Sequence, residues 1–196
     1  ILKEEIPYFK DPQVCRGRKK DTEWNADYGM GQKTTEGSIY KGTVLEHLLL
    51  QNLCAFYEAG EHGAMLLRGA DWNDALDMAD ERGESVAFTC AYIGNLRDLA
   101  DALEAYKNRC HKNDILIAKE IGILIAQKPE VYRSTEKRNA VLNEYAASCV
   151  HNITGEKIRV DIDVLVKDLR DKADWYSTFI RENEWVEDGE GRGWFN

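Results

Sequence analysis

The chain has 196 residues, 43% hydrophobic and 31% charged, with a formal net charge of −9. That length is enough for one ordinary domain with a real core. So acidic a chain offers no basic surface to neutralise phosphates, which excludes nonspecific binding to nucleic acid. No apolar run approaches the roughly 20 residues that cross a bilayer, and the N-terminus carries no signal-peptide pattern, so a cytoplasmic protein without membrane association is expected.

Residues 16 to 42 are polar and glycine-rich, with Arg16-Gly17-Arg18-Lys19-Lys20 and Tyr28-Gly29-Met30-Gly31. They read as a loop, either carrying a site or simply connecting. The first helix is predicted from Thr43 to Ala59. Thr43 and Glu46 have capping-box spacing, Gly60 is placed to end the helix as a left-handed cap, and apolar residues cover most of its circumference, so it should be buried between neighbours. Residues 61 to 84 form a second irregular stretch. A second helix is predicted with Ser85 as N-cap and an end near Asn108, a third over Asp114 to Gln127, a fourth from Thr135 to about Val150, and an amphipathic fifth from Asp163 to about Asn183. With three prolines and weak strand signals, the fold class expected is all-α.

Five cysteines, Cys15, Cys54, Cys90, Cys110 and Cys149, lack metal-binding spacing and read as reduced thiols, mostly in cores. His47, His62, His111 and His151 show no paired helical spacing, so neither a zinc site nor any other metal is expected. The EF-hand pattern also fails, because Ala75, Leu76 and Arg82 stand where an oxygen ligand, a glycine and a glutamate are needed. No acyl-transfer elbow, phosphate loop or dinucleotide fingerprint occurs.

Carboxylates remain. The run Gly69-Ala70-Asp71-Trp72-Asn73-Asp74 sets two acids around an indole. A carboxylic acid protonates a glycosidic oxygen, and a tryptophan face stacks on the C–H face of a pyranose while excluding water. The plainer alternative makes Asp71 a helix cap and Asp74 an exposed neighbour one turn on. Glu84, ten residues beyond Asp74, is either a water-activating base or a partner of the helix N-terminus, and the second role is favoured.

Taken together, Leu45-Glu46-His47, Gly60-Glu61-His62-Gly63, Asp71-Trp72-Asn73-Asp74 and Gly83-Glu84-Ser85-Val86, in that order and spacing, resemble the catalytic region of the cellobiose-phosphorylase group, glycoside hydrolase family ninety-four. Gly193-Trp194-Phe195 resembles a further segment of it. The resemblance implies an (α/α)₆ barrel, of which residues 1–196 would be an incomplete part. The missing initiator methionine and the abrupt aromatic end also read as cuts in a longer protein, and this segment alone is expected to be inactive.

The resemblance further implies inverting phosphorolysis of a β-glucoside, a hexosyltransferase reaction in which inorganic phosphate, not a cofactor, attacks the anomeric carbon and α-sugar 1-phosphate leaves. Asp74 would be the general acid, Trp72 would line the donor-sugar subsite, and Asp71 would support it; Arg68 is an available cation beside them. The implied partners are a β-linked oligosaccharide, phosphate, the remaining barrel segments and a second copy in a homodimer. The family's phosphate-binding histidine and its donor-binding arginine and aspartate find no match in this chain. Two alternatives are an inverting hydrolase using water, with Glu84 or an absent residue as base, and a non-catalytic helical module that binds carbohydrate or protein.

Overall fold

A computed structural model describes residues 1–7, 31–67, 82–149 and 152–195. In chain order the elements are β1 (Glu5–Pro7), β2 (Lys33–Thr34), β3 (Lys41–Thr43), α1 (Val44–Tyr57), β4 (Met65–Leu66), β5 (Glu84–Ser85), α2 (Val86–Cys110) and β6 (Asp114–Ala118). A 3₁₀ helix (Lys119–Leu124) follows, then α3 (Pro129–Tyr132), α4 (Thr135–Ser148), β7 (Asn152–Ile153), β8 (Lys157–Asp161), α5 (Ile162–Asn183), β9 (Trp185–Glu187) and β10 (Gly193–Phe195).

The all-α expectation, and with it the incomplete (α/α)₆ barrel, is overturned. Of the described residues 54% are helical and 21% are in strands, so the fold is mixed α and β. The strands form five two-stranded sheets, β1–β3, β2–β7, β4–β5, β6–β8 and β9–β10. The third predicted helix is the largest single error. Asp114–Ala118 is a strand paired antiparallel with β8 from Asp114↔Asp161 to Ala118↔Lys157, and only six residues after it coil, as a 3₁₀ turn. Ile115 and Ile117 point inward while Leu116 is half exposed, the period of two that a strand imposes.

The other long helices follow their sequence signals. Thr43 caps α1 through the full box: its hydroxyl accepts from the Glu46 N–H, and Glu46 reaches back to the Thr43 N–H at 2.7 Å. Glu46 is completely buried and does more than cap. Its second oxygen accepts from the Tyr40 hydroxyl at 2.7 Å and the Ala118 N–H at 2.8 Å, tying the start of α1 to the end of β6. Burial and this carboxylate push the Tyr40 phenol well above its ordinary pKa, so it stays a donor. Thr43→Ala removes the cap alone and is expected to cost about 1 kcal/mol in urea unfolding.

The core is built on α1, α2 and α5. Leu49, Leu53, Phe56 and Tyr57 of α1 meet Leu96, Ala100 and Leu103 of α2 and Leu165, Leu169 and Tyr176 of α5, each essentially inaccessible. Ion pairs Arg97–Asp174 and Lys107–Asp163, with Arg170 bridging Asp101 and Glu104, run in opposite sequence directions and show that α2 and α5 lie antiparallel. Exposed pairs like these add little individually; the apolar seam beneath them holds the helices. Ala126, exposed and at φ 56°, sits in the left-handed region where a Cβ is disfavoured. Ala126→Gly is therefore expected to raise unfolding stability by up to about 1 kcal/mol.

Among the described residues no helix is long and apolar enough to cross a membrane. Cys54 and Cys149 are buried, whereas Cys90 and Cys110 are exposed, so only half of these four cysteines lie in cores.

Candidate functional site

Asp71, Trp72, Asp74 and Arg68 lie outside the described residues, as does Cys15. Their flanks are inside them, and they converge. Met65–Leu66 and Glu84–Ser85 pair antiparallel as β4 and β5, in the register Met65↔Ser85 and Leu66↔Glu84, and the Leu67 N–H donates to the Gly83 carbonyl at 2.8 Å. The described residues on either side of the Asp-Trp-Asn-Asp run are therefore held together at one place.

That place is built around Glu84. Its Oε1 accepts from the His62 backbone N–H at 2.9 Å and lies 3.2 Å from His62 Nδ1, and its Oε2 accepts from the Ala64 N–H at 2.8 Å. The side chain is only 12% exposed, whereas His62 is 81% exposed. Neither of the two roles weighed for Glu84 is the one found. It binds the turn of residues 60–64, and the helix N-terminus is capped by Ser85, whose hydroxyl accepts from the Phe88 N–H at 3.1 Å.

Gly60 has a reason other than the one expected. Helix α1 ends at Tyr57 with Glu58 as its cap, and Gly60 is not among the glycines with positive φ. A Cβ on Gly60 would stand 2.2 Å from Glu84 Cδ, so the glycine is there to admit the carboxylate. Gly60→Ala must push Glu84 aside and is expected to cost about 1–3 kcal/mol, read by thermal or urea unfolding. Gly63 does adopt φ 93°, and a Cβ there would also meet Phe179 at 2.7 Å.

Each long helix other than α1 supports this turn from below. From α4, Arg138 Nη2 donates to the Gly63 carbonyl at 2.9 Å and Asn139 donates to the Ala59 carbonyl at 3.0 Å. From α5, the Tyr176 hydroxyl donates to the same Gly63 oxygen at 2.8 Å while accepting from Arg138 Nη1 at 3.0 Å. From α2, the Thr89 hydroxyl accepts from the Met65 N–H at 3.0 Å. Burial pushes the Tyr176 phenol above its ordinary pKa, which keeps it a donor.

Arg138 is 1% exposed and sits among aromatic rings, 5.0 Å from the Trp175 centroid and 5.2 Å from that of Tyr176. The ring faces offset part of the cost of burying the guanidinium. Sequence reasoning did not single out Arg138, yet it was visible there, because residues 138, 141, 142 and 145 fall on one helical stripe and the other three are apolar.

The chain matches no protein-family model and no curated protein. The described residues contain no group of three or more His, Cys, Asp or Glu placed to hold a metal ion. What the arrangement does chemically is to commit one carboxylate, Glu84, to fixing a turn, and to secure both ends of the stretch carrying Asp71 and Asp74.

Proposed function

We propose that this chain supplies the proton-donating segment of an inverting glycoside phosphorylase that cleaves a β-glucoside with inorganic phosphate and releases α-sugar 1-phosphate. Asp74 protonates the leaving oxygen, Trp72 stacks on the donor sugar, and Asp71 and Arg68 support the bound substrates. The observation that carries the proposal is the Glu84 clamp. Of the motifs whose order resembles the phosphorylase group, those at 60–63 and 83–86, which flank the one at 71–74, are joined through one partly buried carboxylate. Such a joint has a purpose if the intervening stretch must be held in one position.

The same clamp argues against Glu84 as the water-activating base of a hydrolase. An inverting hydrolase needs a second carboxylate free to activate water. Glu84 has both oxygens occupied by backbone N–H donors and is mostly buried, so it is a poor base. Phosphate brings its own nucleophile and removes the need. The cation that would hold phosphate comes from Arg68 or from other parts of the protein. We place the reaction in the cytoplasm, in keeping with the free thiols of Cys90, Cys110 and Cys149.

The test is to assay the complete protein on β-linked glucosyl disaccharides with and without phosphate. Sugar 1-phosphate formation that depends on phosphate is the expected result; free sugar released at the same rate without phosphate would overturn it in favour of hydrolysis.

A further inference from the structure

At the other end of α2 lies a concavity of about 340 Å³, lined by residues of the N-terminal segment, the start of α1, the end of α2, β6 and β8. Val86, beside the Glu84 clamp, and Tyr106, in the wall of this pocket, are 20 residues apart on α2, about 30 Å along the helix axis. Whatever the pocket holds is not at the clamp.

Its lining departs from the character of the chain. In a protein of net charge −9, Lys3, Lys112, Lys157 and Arg159 converge here against two carboxylates, Glu5 and Asp114. The carboxylates are already matched: Lys157 Nζ is 3.3 Å from Glu5 and Arg159 Nη1 is 2.5 Å from Asp114. Lys3 lies with its ammonium 5.3 Å from the Tyr106 ring centroid, and neither Lys3 nor Lys112 has a carboxylate partner among the described residues. The floor is apolar, with Tyr106, Leu45 and Ile115.

We propose that this pocket binds a monosaccharide phosphate. The Lys3 and Lys112 ammonium groups, neither of them paired with a carboxylate among the described residues, take the phosphate. Glu5 and Asp114 would repel a ligand that was anionic throughout, but they accept hydrogen bonds from sugar hydroxyls, so a molecule anionic at one end and hydroxylated at the other uses the whole lining. The volume sits at the lower end of small-molecule sites, which suits one sugar ring and not an oligosaccharide. The apolar floor faces the C–H side of that ring. Because Lys3 and Lys112 are exposed, the affinity is modest and falls with salt. The site stands apart from the glycosidic chemistry proposed above and does not depend on it.

Calorimetric titration of the full chain with glucose 6-phosphate at low ionic strength is the test. Saturable one-site binding is expected, weakened by roughly tenfold or more in the Lys3→Glu/Lys112→Glu variant and unchanged in Lys137→Glu, an exposed lysine on α4 that makes the same kind of charge change elsewhere. Glucose alone and inorganic phosphate alone should each bind more weakly than glucose 6-phosphate. Asp74→Asn separates the two sites: it should abolish glycosidic activity if the functional proposal holds, and leave this binding intact. The proposal is overturned if no saturable binding occurs, if the double variant behaves like Lys137→Glu, if phosphate alone binds as tightly, or if binding is lost in Asp74→Asn.

Discussion

Asp74→Asn is expected to lower kcat/KM for phosphorolysis of a β-glucosyl disaccharide by about 10²–10⁴-fold, with an unfolding midpoint equal to that of the wild type. Asparagine keeps the shape of the side chain but has no carboxylic proton to give. The wild-type rate should fall on the alkaline side as the acid deprotonates, and that limb should be missing from the variant's pH profile. A near-normal rate in the variant would remove Asp74 from the chemistry altogether. The size of the effect follows from the poor leaving ability of a sugar alkoxide, which must be protonated as the bond breaks.

The largest effect on stability is expected at Asp168→Ala, about 3–5 kcal/mol. Lys172 of α5 is completely buried and ion-paired with Asp168 one turn earlier, with its ammonium 5.7 Å from the Phe56 centroid, 5.5 Å from that of Tyr57 and 5.3 Å from that of Tyr132. Asp168 Oδ1 also accepts from the Ala126 N–H at 3.0 Å and from the Tyr132 hydroxyl at 3.2 Å. Removing the carboxylate leaves a buried cation with no counter-charge and releases the left-handed turn at Ala126.

The pH dependence of that variant has a definite sign. Burial already holds the Lys172 pKa below its ordinary value of 10.5, against the opposing attraction of Asp168. In the window between the folded-state pKa and 10.5 the unfolded chain carries the proton and the folded one does not, so stability rises with pH. Losing Asp168 removes the attraction and widens the window downward. Urea unfolding from neutral to alkaline pH should therefore show Asp168→Ala recovering part of its lost stability, more steeply than the wild type does. Replacing both partners, as Asp168→Leu with Lys172→Met, should be far less damaging than the single change, because no uncompensated charge remains.

The helices were legible because their signals are local. Thr43 with Glu46, Ser85, and the stripes of α4 and α5 place four helices with starts within a residue of those observed. The sheets were not, because their partners are far apart in sequence. Asp114–Ala118 pairs with Lys157–Asp161, and Lys33–Thr34 pairs in parallel with Asn152–Ile153. An apolar run such as Ile115-Leu116-Ile117 suits a helix or a strand equally well until its partner is known. The β-branched residues and the alternation of Lys157-Ile158-Arg159-Val160-Asp161 were the clues available.

At the candidate site, the residue types and their order were readable, but the reason for them was not. Gly60 looked like a helix cap, whereas it is the space that Glu84 occupies. Glu84 looked like a helix-dipole partner, whereas it binds two N–H groups of a turn 22 and 20 residues back, at His62 and Ala64. Arg138, Lys172 and Asp168 were charges on apolar stripes. Sequence alone gives such charges a position but no partner, and here the partners are a Gly63 carbonyl, aromatic rings and each other.

Leaving-group dependence separates a proton donor from a residue that only shapes the site. With phosphate present, the Asp74→Asn variant should turn over 2,4-dinitrophenyl β-glucoside, whose phenolate departs without protonation, at close to the wild-type rate, while its rate on cellobiose collapses. An equal loss on both substrates would contradict the assignment of Asp74 as the general acid.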